Sequence, residues 1–97
     1  MEKRFLMQDL IEKWGEEAQV DMIIEKSMQL AITLHKLKRI ERKEDYSLNL
    51  KTYNDVCECI ADMRLMVEQA EFLFNTNEIN THYKHKVESL TSALNEF

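Results

Sequence analysis

The chain contains no proline and a single glycine, Gly15, in 97 residues. No other feature constrains the fold as much. Antiparallel sheets turn tightly, and their turns use positive-φ positions that glycine fills at least cost. A chain almost without glycine is poorly equipped for such turns, whereas helices joined by short polar connections need few of them. Leu, Met, Glu, Lys, Gln and Ala, all good helix formers, are abundant. The expectation is an all-α fold forming one domain over residues 1–97.

Apolar spacing divides the chain into four helices, at about 3–14, 18–42, 53–74 and 78–95. Leu6, Leu10 and Trp14 recur every four residues with Met7 and Ile11 beside them, and Gly15 stops that helix. The second stripe comprises Val20, Ile23, Ile24, Met28, Ala31, Leu34 and Leu37. It ends in the basic cluster Lys36, Lys38, Arg39, Arg42 and Lys43, where positive charge suits the helix dipole. Lys43 to Leu50 reads as a loop. Thr52 followed by Asp55 resembles a capping box and opens a third helix carrying Val56, Ile60, Met63, Val67, Ala70 and Leu73. Asn75-Thr76-Asn77 makes a short turn in which either Asn can cap the fourth helix, whose stripe is Ile79, Tyr83, Val87, Leu90 and Leu94. Short connections favour antiparallel neighbours, so the expected architecture is a four-helix arrangement with two long central helices. Met22, Met28, Met63 and Met66 read as core residues, Phe5 and Trp14 as core or interface anchors. A chain this short has reason to bury its stripes against copies of itself, and a homo-oligomer is expected.

Composition excludes several classes. The net charge is −5, with both signs interleaved, which argues against a general affinity for nucleic acid. Nothing approaches the run of about 18 apolar residues that a membrane span needs. Charge interrupts Met1 to Leu10 too early for a secretory signal, so the cytoplasm is the expected location. Cys57 and Cys59, two apart on a helix, point away from each other and form neither a local disulfide nor a zinc framework; they read as buried or half-buried thiols. His35, His82 and His85 lack a completing metal ligand nearby. No Ser/His/Asp ordering and no phosphate-cradling loop is present.

Two acidic faces stand out. Asp21, Glu25 and Gln29 are spaced by four on the second helix, and Asp55, Glu58 and Asp62 lie at i, i+3 and i+7 on the third. Facing carboxylates on neighbouring helices are how a bundle builds a Mg²⁺ site. Charged residues on helices equally well face water, and spacing leaves both readings open.

The segment from Trp14-Gly15-Glu16-Glu17-Ala18-Gln19 through Met22 to Leu30 and Lys36-Leu37-Lys38-Arg39 resembles the first half of the MazG-like all-α NTP pyrophosphatases. Their first motif is Glu-Glu-x-x-Glu. Glu58-Cys59-Ile60-Ala61-Asp62 resembles their Glu-Glu-x-x-Asp segment, and Tyr83-Lys84-His85-Lys86 the basic stretch of their last helix. The resemblance runs from Trp14 to Leu90 with the motifs in the expected order. It implies two long central helices whose carboxylates hold Mg²⁺ for the hydrolysis of a nucleoside triphosphate. By position, the ligands would be Lys26, Gln29, Cys59 and Asp62, of which only Asp62 suits the metal. Glu25 and Glu58 correspond to supporting residues. An ammonium repels a divalent cation, an amide offers no charge, and a thiol is a soft ligand ill matched to Mg²⁺.

The resemblance therefore implies a nucleotide-binding protein that has lost Mg²⁺-dependent hydrolysis and sequesters or senses a nucleotide, including a cyclic or other signalling one. No cofactor and no metal are expected. Phosphate or nucleotide contacts would come from Lys26, Gln29, Tyr83, Lys84 and Lys86, beside a residual acidic site of Asp21, Glu25, Glu58 and Asp62. Family members form dimers or tetramers, and the phage-like look of small members points to a phage protein acting in a host cytoplasm. Two alternatives stand beside this reading. One is an active pyrophosphatase with Mg²⁺ on displaced carboxylates, Glu25, Glu58 and Asp62 foremost; the other is a helical protein-interaction module.

Overall fold

The computed structural model describes residues 2–41 and 46–96. The described chain is all-helical: α1 (Lys3–Trp14), α2 (Glu16–Glu41), α3 (Tyr46–Leu73) and α4 (Thr76–Asn95). No helix among the described residues is long and apolar enough to cross a membrane.

Gly15 alone separates α1 from α2. Its backbone sits at φ 85°, ψ 162°, while its N–H closes α1 on the Ile11 carbonyl at 2.8 Å. Glu16 and Glu17 then occupy the first turn of α2, where the exposed N–H groups favour negative charge. That backbone conformation is essentially restricted to glycine. A Cβ at Gly15 would meet nothing within 4 Å, so the cost of a side chain there is purely conformational. Gly15→Ala is expected to lower stability by about 1–3 kcal/mol, read as a lower urea midpoint at unchanged slope.

The third helix departs from the expected boundaries. Thr52 is not a cap: α3 begins at Tyr46, and Thr52 lies inside it, 1% exposed. Neither proline nor glycine lies between Tyr46 and Thr52, so nothing breaks the helix there. The expected loop shrinks accordingly. Its residues 43–45, and Arg42 of the basic cluster, lie outside the described residues. Asn75 caps α4, its side-chain oxygen accepting from the Glu78 N–H at 3.1 Å.

Packing is concentrated in an antiparallel α2–α3 hairpin. Thr33 faces Cys59, Ser27 faces Met63 and Lys26 faces Asp62, so α3 recedes as α2 advances. The first helix closes the end of the hairpin away from the α2–α3 connection. Gln19 Nε2 donates to the Leu10 carbonyl at 3.4 Å, and Lys3 pairs with Glu68 at 2.9 Å. The buried apolar set among the described residues is small, Met7, Val56 and Met66, and the polar Gln19, Thr52 and Gln69 are buried with it. Met7 is the only buried residue of α1. Met7→Ala should cost about 2–4 kcal/mol, with loss of hydrogen-exchange protection in α1 before the hairpin.

Several residues expected in the core are outside it. Met22 and Met28 are exposed while Met63 is half-buried, and Phe5 and Trp14 are about half exposed. Cys57 is likewise exposed, with only Cys59 partly covered. The α2 stripe is split, with Val20, Ile23 and Leu37 half-buried and Ile24, Met28 and Leu34 left exposed. The fourth helix barely touches the rest of the chain. All its residues from Asn80 onward are exposed, including Tyr83, Val87, Leu90 and Leu94. The radius of gyration is accordingly 17.3 Å, against about 13 Å for a compact domain of this length.

Candidate functional site

A cleft of about 410 Å³ opens between α2 and α3, midway along the hairpin. From α2 it takes Lys26, Gln29, Ile32 and Thr33; from α3 it takes Asp55, Glu58, Cys59 and Asp62. Helical periodicity explains both halves. Lys26, Gln29 and Thr33 fall at i, i+3 and i+7, as do Asp55, Glu58 and Asp62, and residues so spaced share a face. Antiparallel pairing then sets the two faces against each other.

Lys26 and Thr33 reach across the cleft to α3. Lys26 Nζ lies 3.5 Å from Asp62 Oδ2, with both side chains about one-third exposed. Thr33 Oγ1 donates to the Gln29 carbonyl at 2.8 Å and lies 3.7 Å from Cys59 Sγ. Since the hydroxyl proton goes to the carbonyl, the thiol is left as the donor in the second contact. Below the cleft, Ser27 Oγ donates to the Ile23 carbonyl at 2.8 Å and touches Met63 Sδ at 3.6 Å.

The structure thus brings Lys26, Gln29, Glu58 and Asp62 together, along with Cys59. Asp21 and Glu25 do not line the cleft, nor do Tyr83, Lys84 and Lys86, which project on α4. His82 lies apart, beside Asn75, Asn77, Glu78 and Thr81. Asp55, already read as part of the acidic face of the third helix, completes the lining with Thr33 and Ile32, which were not among the expected site residues. The signal for Thr33 was present in the spacing, four after Gln29. Ile32 carried no such signal.

The chemistry of the donor set does not fit Mg²⁺. Among the described residues, no group of three His, Cys, Asp or Glu side chains is arranged to hold a metal ion. An ammonium stands beside Asp62 and competes with any cation for its oxygens. Magnesium demands nearly octahedral hard oxygen ligands, and the neighbouring positions offer an amide and a thiol.

What the cleft can do is hold a small polar molecule. One ammonium donates to an anionic group, and three carboxylates and an amide oxygen accept from N–H and O–H groups. Three carboxylates against one ammonium leave the cleft formally negative, which disfavours a highly charged polyphosphate. Compared with protein-family models, curated proteins and solved structures, the chain matches none.

Proposed function

We propose that the protein binds a nucleotide of low phosphate charge in the α2–α3 cleft, on a MazG-like arrangement that has lost Mg²⁺-dependent hydrolysis, and so sequesters or senses it. The observation that carries this reading is the Lys26–Asp62 pair. Lys26, Gln29, Cys59 and Asp62, the positions to which the MazG-like resemblance assigns metal ligands, all line one cleft, and Lys26 puts a fixed positive charge there.

Binding exchanges partners. A phosphate oxygen takes the Lys26 ammonium from Asp62, and the base or sugar donors engage Asp55, Glu58 and the freed Asp62. A phosphodiester carries one negative charge, which the single ammonium matches, and a monophosphate carries one or two. A triphosphate carries more and meets net repulsion without a metal. Mono- and cyclic nucleotides are therefore the favoured class. The cleft of one chain works without Tyr83, Lys84 and Lys86.

Calorimetric titration with linear and cyclic mononucleotides, cyclic dinucleotides and triphosphates, each with and without Mg²⁺, tests the reading. Binding of a mono- or cyclic nucleotide that is indifferent to Mg²⁺ is expected, with no pyrophosphate released from triphosphates. Tight Mg²⁺ binding with turnover would instead restore the pyrophosphatase, with Glu25 joining Glu58 and Asp62 as ligands.

The extent of exposed apolar surface supports a second reading, a helical interaction module without a small-molecule ligand. It predicts no heat with any nucleotide.

A further inference from the structure

The fourth helix carries an apolar seam with nothing against it among the described residues. Tyr83, Val87, Leu90 and Leu94 are 69, 44, 68 and 78% exposed. Their spacing of four, three and four is the a/d pattern of a coiled-coil strand. A lone amphipathic helix of this length is marginal in water and draws its stability from packing its apolar face. The other described residues do not provide that packing.

A matching row lies on α3. Tyr53, Ile60 and Val67 recur every seven residues and are 61, 52 and 53% exposed. Helical periodicity puts this row on the flank of α3 away from Asp55, Glu58 and Asp62, so covering it leaves the cleft open.

Surface area identifies the occupant. By surface–mass scaling, a compact folded chain of 11.6 kDa exposes about 5,800 Å². This chain exposes 8140 Å², roughly 2,300 Å² more than that scaling. Two copies hiding this excess would bury about 4,600 Å² in total, within the range of obligate homodimers. Charge chooses the receiving face. Lys84 and Lys86, left without a role at the cleft, flank the α4 seam, so parallel pairing of α4 with its own copy sets ammonium against ammonium. Glu68 and Glu71 stand beside the exposed row of the third helix and offer carboxylates to those ammoniums, Glu68 while also paired with Lys3 and Arg64.

We propose that α4 is an arm that docks through Tyr83, Val87, Leu90 and Leu94 onto the Tyr53, Ile60 and Val67 row of α3 in a second copy of the chain. Each copy gives one arm and receives one, which closes a two-fold dimer.

Sedimentation velocity on the full chain at micromolar concentration tests this. The wild type should sediment at twice the 11.6 kDa of one chain. Leu90→Lys and Ile60→Lys should each weaken association at least about thirtyfold, as for an interface hot spot. Ser92→Lys, on the opposite face of α4, should leave the dimer intact. A monomeric wild type overturns the proposal, as does a dimer that survives Leu90→Lys. Dissociation by Leu90→Lys but not by Ile60→Lys also overturns it, in favour of arm-to-arm pairing or a different partner face.

A second measurement does not depend on how well those variants fold. Exposed Cys57 sits between Tyr53 and Ile60. In a Cys59→Ser background, cysteine placed in turn at positions 83, 87, 90 and 94 should yield at least one interchain disulfide to Cys57 under mild oxidation. Failure at all four positions sinks the arm-exchange arrangement.

Discussion

Lys26→Glu is expected to abolish nucleotide binding in the α2–α3 cleft and to give the protein a measurable affinity for Mg²⁺. The substitution removes the one cation that lines the cleft among the described residues and adds a fourth carboxylate beside Asp55, Glu58 and Asp62. An anionic group loses its donor and meets repulsion in the same step. Losing one partner of a hydrogen-bonded charge pair costs about 2–5 kcal/mol, so nucleotide affinity should fall at least about thirtyfold. A divalent cation meets the reverse change, since hard oxygen ligands then stand on both helices.

The fold should tolerate this change. The Lys26–Asp62 pair lies 3.5 Å apart with both ends partly in water, and such pairs contribute only about 0–1 kcal/mol. The thermal midpoint should therefore move little while ligand preference inverts. Titration of wild type and variant with the bound nucleotide and with Mg²⁺ alone reads both effects. Undiminished nucleotide binding by the variant would remove Lys26 from the site; wild-type binding that requires Mg²⁺ would remove the idea that the ammonium replaces the metal.

Gln69→Met should raise stability substantially. Gln69 is 0% exposed, and neither its Oε1 nor its Nε2 has a hydrogen-bond partner among the described residues. Withdrawing an amide from water without a partner costs about 1–3 kcal/mol in proteins. Methionine has similar length and an adaptable thioether, and it fills the space without that penalty. A gain of about 1–2 kcal/mol corresponds to roughly 4–16 °C in Tm for a chain of this size. Scanning calorimetry at one fixed protein concentration is the appropriate measurement, because association would shift Tm by mass action. A lower Tm would show that the amide has a partner supplied by the assembled protein.

Much of the architecture was legible before any coordinates. Gly15 marked the α1–α2 junction because a single positive-φ residue is a local requirement with a local signature. Asn75 and Asn77 both offered a cap for α4, and the structure uses Asn75, so the helix begins at Thr76 rather than at about 78. Thr52 misled for a related reason. A Thr three residues before an Asp looks alike whether the preceding residues are helical or not, and here the helix continues back to Tyr46.

The cleft was partly legible. Asp55, Glu58 and Asp62 share a face by arithmetic, and so do Lys26, Gln29 and Thr33. That the two faces meet, and that Lys26 rather than Glu25 turns into the gap, depends on how α2 rotates against α3. Asp21 and Glu25 satisfy the same spacing rules and lie outside it.

The sequence by itself determined the helical class and two of the helix junctions, because propensity, periodicity and capping act over a few residues. Only the tertiary structure decided which stripe is buried. Ile24, Met28, Tyr83 and Leu90 carry the same apolar pattern as Met7, Val56 and Met66, yet the first four remain exposed. Burial depends on what lies opposite a face, and hydrophobic periodicity records only that a face needs covering.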